Sequence, residues 1–133
     1  MPGDLAELDL TPAATALKAR LDAKPGAVIE AYFAPRGRTP VTLGYKVAGK
    51  TFAILSARRD GWVVLKCDPH LAEILRGQYE GVGHRTHLDP RHWICVTLDA
   101  DVPRDEAFRL ADHAYDLVRA SLTKKQQTSL AAL

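Results

Sequence analysis

Between residues 28 and 66 the chain falls into four short runs rich in apolar, β-branched and aromatic side chains, separated by turn-forming and loop residues. The runs are residues 28–33, 42–47, 50–56 and 61–66, and a period of two places successive side chains on opposite faces of an extended strand. Ala48-Gly49 and Asp60-Gly61 supply hairpin turn chemistry between them. Strands joined this closely in sequence pair antiparallel, because a parallel pair needs a crossover of a dozen residues or more. This segment therefore predicts an antiparallel meander, and the remaining elements must cover one of its faces.

The flanking pattern has the helical period. A first helix is expected to open at Thr11, a hydroxyl cap followed by Pro12, to present Ala16, Leu17 and Leu21, and to stop before Pro25-Gly26. Asp68-Pro69 starts a short helix carrying Leu71, Ile74 and Leu75. After a polar loop, residues 92–98 read as a strand with Ile94, Val96 and Leu98 turned inward. The last helix has Pro103 near its first turn and Asp105 and Glu106 at the positive end of the dipole, with Arg119, Lys124 and Lys125 toward or beyond the other end. Its apolar stripe is Ala107, Leu110, Ala111, Ala114, Tyr115, Val118 and Leu122. The order α-β-β-β-β-α-β-α predicts an α+β two-layer sandwich, with helices on one face of an antiparallel sheet. Residues 1–133 are expected to form a single domain, with 1–10 and 126–133 as flexible ends.

Of 133 residues, 47% are apolar and 26% charged, the balance of an ordinary globular domain. The net charge is only +2, so charge as a whole announces no partner. Its distribution is uneven. Residues 1–33 carry three basic and five acidic groups, residues 34–92 ten and five, and residues 93–133 five and six, so the middle segment is the basic one. The longest apolar runs, such as residues 52–55 and 62–65, are far too short to cross a bilayer. The acidic start Met1-Pro2-Gly3-Asp4-Leu5-Ala6-Glu7 lacks the charge and apolar stretch of an export signal. Two cysteines, Cys67 and Cys95, in apolar strand-like surroundings do not make a disulfide framework. A cytoplasmic protein with no membrane partner is the expectation.

Pro25-Gly26-Ala27, Lys46-Val47-Ala48-Gly49-Lys50-Thr51-Phe52-Ala53 and Leu65-Lys66-Cys67-Asp68-Pro69 occur in an order that resembles the MmcQ/YjbR family. The similarity continues through His87-Leu88, Arg91-His92-Trp93-Ile94-Cys95-Val96 and Ala111-Asp112-His113-Ala114-Tyr115-Asp116-Leu117-Val118, and covers roughly residues 14–125. The resemblance implies a small bacterial cytoplasmic protein with a fold similar to the type III secretion chaperones, and carries the label DNA-binding. The chain departs from the family pattern at Ala114, where Ser is usual before the Tyr, and at Gly83-His84, where the family has Pro. Ala114 reads as a packing position.

The residues themselves offer a basic and aromatic constellation. With Ile94, Val96, Leu98, Val63, Leu65 and Cys67 facing the helices, Trp62, Lys66 and Trp93 occupy the opposite, uncovered face, and Lys50 and Phe52 are candidates to join them. Rings that stack on bases and cations that neutralise phosphate are what nucleic acid requires. Arg36 and Arg38, Arg58 and Arg59, and Arg85 with Arg91 lie near strand ends, where they suit phosphate contacts. The candidate DNA-binding set is thus Lys50, Lys66, Arg58, Arg59, Arg85, Arg91, Trp62 and Trp93. Ordinary sheet packing and solvated loop charge are the competing explanations for the same residues.

His70, His84, His87 and His92 with Cys67 lack the spacing of a zinc site, so no metal is expected. Cys67, just ahead of the Asp68-Pro69 helix start, is the nearest approach to a nucleophile, but no paired base, nucleophile elbow or phosphate-cradling glycine loop accompanies it. Asp99, Asp101, Asp105 and Glu106 are the acids of a turn and a helix start. A non-enzyme without cofactor is expected. It would bind DNA weakly with little sequence preference, or alternatively use the uncovered sheet face for a protein partner or for self-association.

Overall fold

The computed structural model describes residues 8–33, 41–84 and 88–133. In chain order the elements are α1 (Pro12–Asp22), β1 (Ala27–Phe33), β2 (Thr42–Val47), β3 (Lys50–Ser56), β4 (Trp62–Lys66), α2 (Pro69–Gln78), β5 (Val82–Gly83), β6 (Trp93–Thr97), α3 (Arg104–Ala120) and α4 (Lys124–Ala131). The strands form one antiparallel sheet in the order β1-β2-β3-β4-β6-β5. This is the α+β sandwich expected, with two additions. The two-residue β5 is too short to leave a periodic signal. The chain end, expected to be flexible from residue 126, is helical and closed at its start by reciprocal Thr123–Gln126 hydrogen bonds of 3.1 and 3.0 Å.

Helix α1 begins where its cap was expected, Thr11 Oγ1 accepting from the Ala14 N–H at 3.2 Å. It buries Ala13, Ala14, Leu17 and Leu21, whereas Ala16 is only half-buried. In α2, Ala72 and Leu75 are buried and Ile74 faces solvent, so the expected stripe is rotated toward Ala72. Helix α3 lies over β2, β3 and β4 and buries the expected stripe, but ends at Ala120 rather than running on through Leu122. Leu122 is nevertheless buried, beyond the helix end. Ala114, the departure from the family pattern, has no exposed surface and belongs to this core.

The register orders the side chains of the sheet into cross-strand rows. Toward the helices run Ile29, Tyr45, Ala53, Leu65 and Ile94, and next to them Leu43, Leu55, Val63, Val96 and Val82. The ring of Phe52 meets Tyr115 of α3 edge-on at 5.3 Å and Tyr45 at 6.1 Å. Both tyrosine hydroxyls end on partners, Tyr45 donating to Asp22 at 2.7 Å and Tyr115 to the Pro25 carbonyl at 2.5 Å. An ion cluster clamps α1 to α3: Asp112 accepts from Arg20 at 2.6 and 2.9 Å and from Lys24 at 2.5 Å.

Phe52 corrects the sequence reading of β3. Tyr45 pairs with Ala53 and Lys46 with Thr51, which leaves Phe52 as an extra residue without a partner. This bulge breaks the alternation and turns Phe52 and Ala53 to the same, helix-covered side. Phe52 is fully buried there, and cannot join an exposed platform. Lys50 lies on that side too, with Nζ 3.4 Å from Ser121 Oγ beyond the end of α3.

Candidate nucleic-acid interface on the open sheet face

The face that the helices leave uncovered is defined by the complementary rows. Glu30, Gly44, Ile54, Val64, Cys95 and Gly83 cross the whole sheet in one row. On one side of it Lys66 stands opposite Trp93, and on the other Trp62 stands opposite Thr97. Trp62, Lys66 and Trp93 therefore share the open face, as period two predicts. Three residues of β4 separate Trp62 from Lys66, about 13 Å along the strand. Val64, between them, is buried, yet lies outside the core cluster under the helices.

At the Lys66 end the ammonium sits 5.0 Å from the centroid of the Trp93 ring, a cation–π contact between half-buried side chains. The Trp93 backbone is held in turn by Arg76 of α2, whose guanidinium donates to the Trp93 carbonyl at 2.7 Å. At the other end the Trp62 indole donates to Asp60 at 2.8 Å, and Asp60 also accepts from the Ser56 hydroxyl. This network braces the β3–β4 turn, on which Arg58 and Arg59 are exposed. Arg59 pairs with Asp9 at 3.0 Å. Along β1 and β2, Lys46 and Glu30 form an ion pair at 2.6 Å that leaves this part of the face neutral.

Of the eight residues of the candidate set, the structure brings Lys66, Trp93 and Trp62 onto one face, with Arg58 and Arg59 at its Trp62 end. Arg91 is exposed on the loop before β6, where its backbone N–H donates to Asp89 at 2.9 Å. Lys50 stands apart on the helix side. Arg85, like Arg36, Arg38 and His87, lies outside the described residues. The sequence reading missed Arg76, because nothing in an isolated helix marks an arginine that anchors a strand 17 residues away.

Cys67 is buried, and its thiol is pushed up to about 11 by desolvation and by the neighbouring Asp68 charge, so it stays protonated and weakly nucleophilic at neutral pH. Asp101 closes a turn by accepting from the Glu80 and Gly81 N–H groups at 2.6 and 2.7 Å, contacts that lower its carboxyl below the ordinary range. Glu106 pairs with Arg109 at 2.5 Å within α3. Among the described residues no three His, Cys, Asp or Glu side chains converge as metal ligands, and no helix is long and apolar enough to cross a membrane.

Comparison with known proteins agrees with this architecture. A family model described as YjbR matches residues 22–117. The uncharacterised protein YjbR of Escherichia coli K12 is 35% identical over 71 residues, which make up 53% of this chain and 60% of that relative. The match thus spans less than two thirds of the relative's own length. The crystal structure of a Deinococcus radiodurans protein of domain family DUF419 superposes with a TM-score of 0.77 at 27% identity, covering 88% of this chain and 86% of that one. A Pseudomonas syringae protein shares the fold, with a TM-score of 0.62 at 20% identity, covering 77% of this chain and 96% of its own.

Proposed function

The chain belongs to the YjbR family, and from the geometry of its open sheet face we propose that it is a cytoplasmic, non-enzymatic module that binds DNA weakly and with little sequence preference. The observation that carries this reading is the Lys66–Trp93 unit, an ammonium over an indole on the one sheet face that no helix covers. A ring supplies a stacking surface indifferent to base identity, and a cation beside it neutralises the phosphate that accompanies a stacked base. Trp62 offers a second ring on the same face, and Arg58 and Arg59 add phosphate contacts at the turn beside it. Few cations are engaged, so affinity in the micromolar range or weaker at physiological salt is expected, falling with ionic strength in proportion to the phosphates neutralised.

The experiment is a salt series of fluorescence-anisotropy titrations with single-stranded and duplex oligonucleotides of unrelated sequence. Binding that weakens with salt, is similar for all sequences, and is lost together in Lys66→Glu and Trp93→Ala supports the reading. Lys50→Glu, on the other side of the sheet, should leave affinity unchanged. Salt-independent binding, or full affinity in folded Lys66→Glu, refutes it.

A second reading has its own support. Val28 is 62% exposed on edge strand β1, and half-buried Ile54 and Cys95, on either side of buried Val64, make the centre of the open face apolar. An apolar centre with a neutral Lys46–Glu30 rim suits a protein surface, including a second copy of this chain. Light scattering that gives a dimer disrupted by Val28→Glu, with no DNA binding at low salt, would favour this alternative.

A further inference from the structure

Away from the open face, α2 and the segment before β6 enclose an open cleft of about 400 Å³, lined by Pro69, His70, Glu73, Arg76, Pro90 and Arg91. Most cations described elsewhere on the molecule have a carboxylate: Lys18 has Asp22, Arg20 and Lys24 share Asp112, Lys46 has Glu30, Arg59 has Asp9, Arg104 has Asp99 and Arg109 has Glu106. The two arginines of the cleft, like Lys50, Arg58 and Lys66, are not in that set. Neither Arg76 nor Arg91 has a carboxylate within ion-pair distance among the described residues. Asp89, two residues before Arg91, is hydrogen-bonded to His92 at 2.7 Å and feels the Arg91 charge only beyond ion-pair distance.

Arg76 is fixed rather than neutralised. Its Nη2–H donates to the Trp93 carbonyl at 2.7 Å, while its buried Nε has no hydrogen-bond partner. A guanidinium half-satisfied by a backbone oxygen keeps its full positive charge, and is held in place before any ligand arrives. The N-terminus of α2 does not supply the positive field, because the Asp68 carboxylate already accepts from the His70 and Leu71 N–H groups at 3.1 Å each. The cleft's charge comes from two guanidinium groups, with the His70 ring as a further polar group and Pro69 and Pro90 as rigid walls. Two carboxylates stand against it: Glu73 in the lining, and Asp89 within the field of Arg91.

We propose that this cleft binds a phosphate group, with Arg76 and Arg91 as its cationic donors and His70 as an additional one. Guanidinium groups match the planar spacing of phosphate oxygens, which favours a phosphate ester over a simple halide. The site involves neither the Trp93 ring nor Lys66, so it stands whether or not the open face binds DNA.

Inorganic phosphate is the first probe, followed by NMR of isotopically labelled protein, with sodium chloride at matched ionic strength as the control. Saturable shifts of His70, Arg76 and Arg91 resonances are expected with phosphate and not with chloride. Arg91→Ser, which removes an exposed side chain that makes no side-chain hydrogen bond among the described residues, should weaken phosphate binding about tenfold, the effect of one lost charge-assisted contact. Glu73→Gln should act in the opposite direction and tighten it. Lys66→Met and Trp93→Ala should leave the phosphate titration unchanged, which separates this site from the sheet face. Oligonucleotides with and without a 5′-phosphate then identify the source: a preference for the phosphorylated end assigns the cleft to a terminal phosphate, and equal shifts at His70 assign it to a backbone phosphodiester. Absence of saturable shifts, or unaltered phosphate affinity in Arg91→Ser, overturns the proposal.

Discussion

Lys66 and Trp93 stand opposite each other on β4 and β6, with the ammonium 5.0 Å from the centre of the indole, on the sheet face that no helix covers. The pair orders a ring and a charge with respect to one another before any ligand is present. Half-buried cation–π contacts of this kind are worth ~0.5–1 kcal/mol. A double-mutant cycle built from Lys66→Met and Trp93→Ala, read by denaturant unfolding, is expected to return a coupling of that size. A coupling of zero would mean that the two side chains are independent in solution, and would remove the preformed platform on which the DNA-binding reading stands.

Phe52 provides the contrast, since period two alone makes it a partner of that platform. Its ring has no exposed surface and meets Tyr45 and Tyr115. Phe52→Ala should cost about 3–5 kcal/mol of stability, as ring truncations in a packed core do. Under conditions where the variant remains folded, its affinity for DNA should equal that of the unaltered protein. Trp93→Ala should show the reverse balance, with a smaller loss of stability and a larger loss of binding, about 1–3 kcal/mol per stacked base.

These two aromatics mark how far alternation can be read from sequence. β4 and β6 pair without interruption from Trp62–Thr97 to Lys66–Trp93, so parity assigns every side chain of both strands to its observed face. β3 contains one extra residue, and from that point parity is inverted for Phe52 and Lys50. A bulge leaves no compositional trace, because Lys-Thr-Phe-Ala-Ile-Leu-Ser reads as a regular strand whether or not it is bulged. The helices were legible from their caps, Thr11 and Asp68, and from the stripe of α3. Helix α4 was not, since Lys124-Lys125-Gln126-Gln127-Thr128-Ser129 is polar and only Leu130 seals it to the domain. The cleft of Arg76 and Arg91 was equally invisible, because it is created by the chain returning to Trp93 and not by any local spacing.

Acid should loosen the contact between α1 and α3. Arg20, and after it Lys24, hold the Asp112 carboxyl down at about 2 against burial that acts the other way. A carboxyl depressed in the folded state stabilises the fold fully above its unfolded value near 4, and that contribution disappears as the pH falls from about 4 to about 2. Asp89, lowered chiefly by its hydrogen bond with His92, and Asp101, lowered chiefly by the Gly81 N–H, lose their contributions in the same acid range. The partly exposed Asp112 cluster is expected to account for about 1–2 kcal/mol of the loss once solvent screening is allowed for. Thermal melts of Asp112→Asn should start from lower stability at neutral pH and fall less steeply across this interval. An unchanged acid slope would remove Asp112 from the cause.

The β2–β3 hairpin turns on two left-handed residues, Ala48 at φ 49° and Gly49 at φ 79°, between Val47 and Lys50, which pair directly. Two positive φ values in a two-residue loop define the mirror-image turn that matches the twist of the flanking strands. Alanine meets its own Cβ strain in that region, at a cost of roughly 1–2 kcal/mol, whereas asparagine occupies it more readily. Ala48 is exposed, so a larger polar side chain meets no packed neighbour. Ala48→Asn is therefore expected to stabilise the protein by ~0.5–1 kcal/mol, seen as a higher denaturant midpoint at constant m-value. Gly49→Ala should do the opposite although the added Cβ has nothing within 4 Å, because the penalty there is conformational and not steric. Should Gly49→Ala prove neutral, the hairpin would have to adopt a turn with negative φ at that position, and the Val47–Lys50 register that places Lys50 beside Ser121 would not hold.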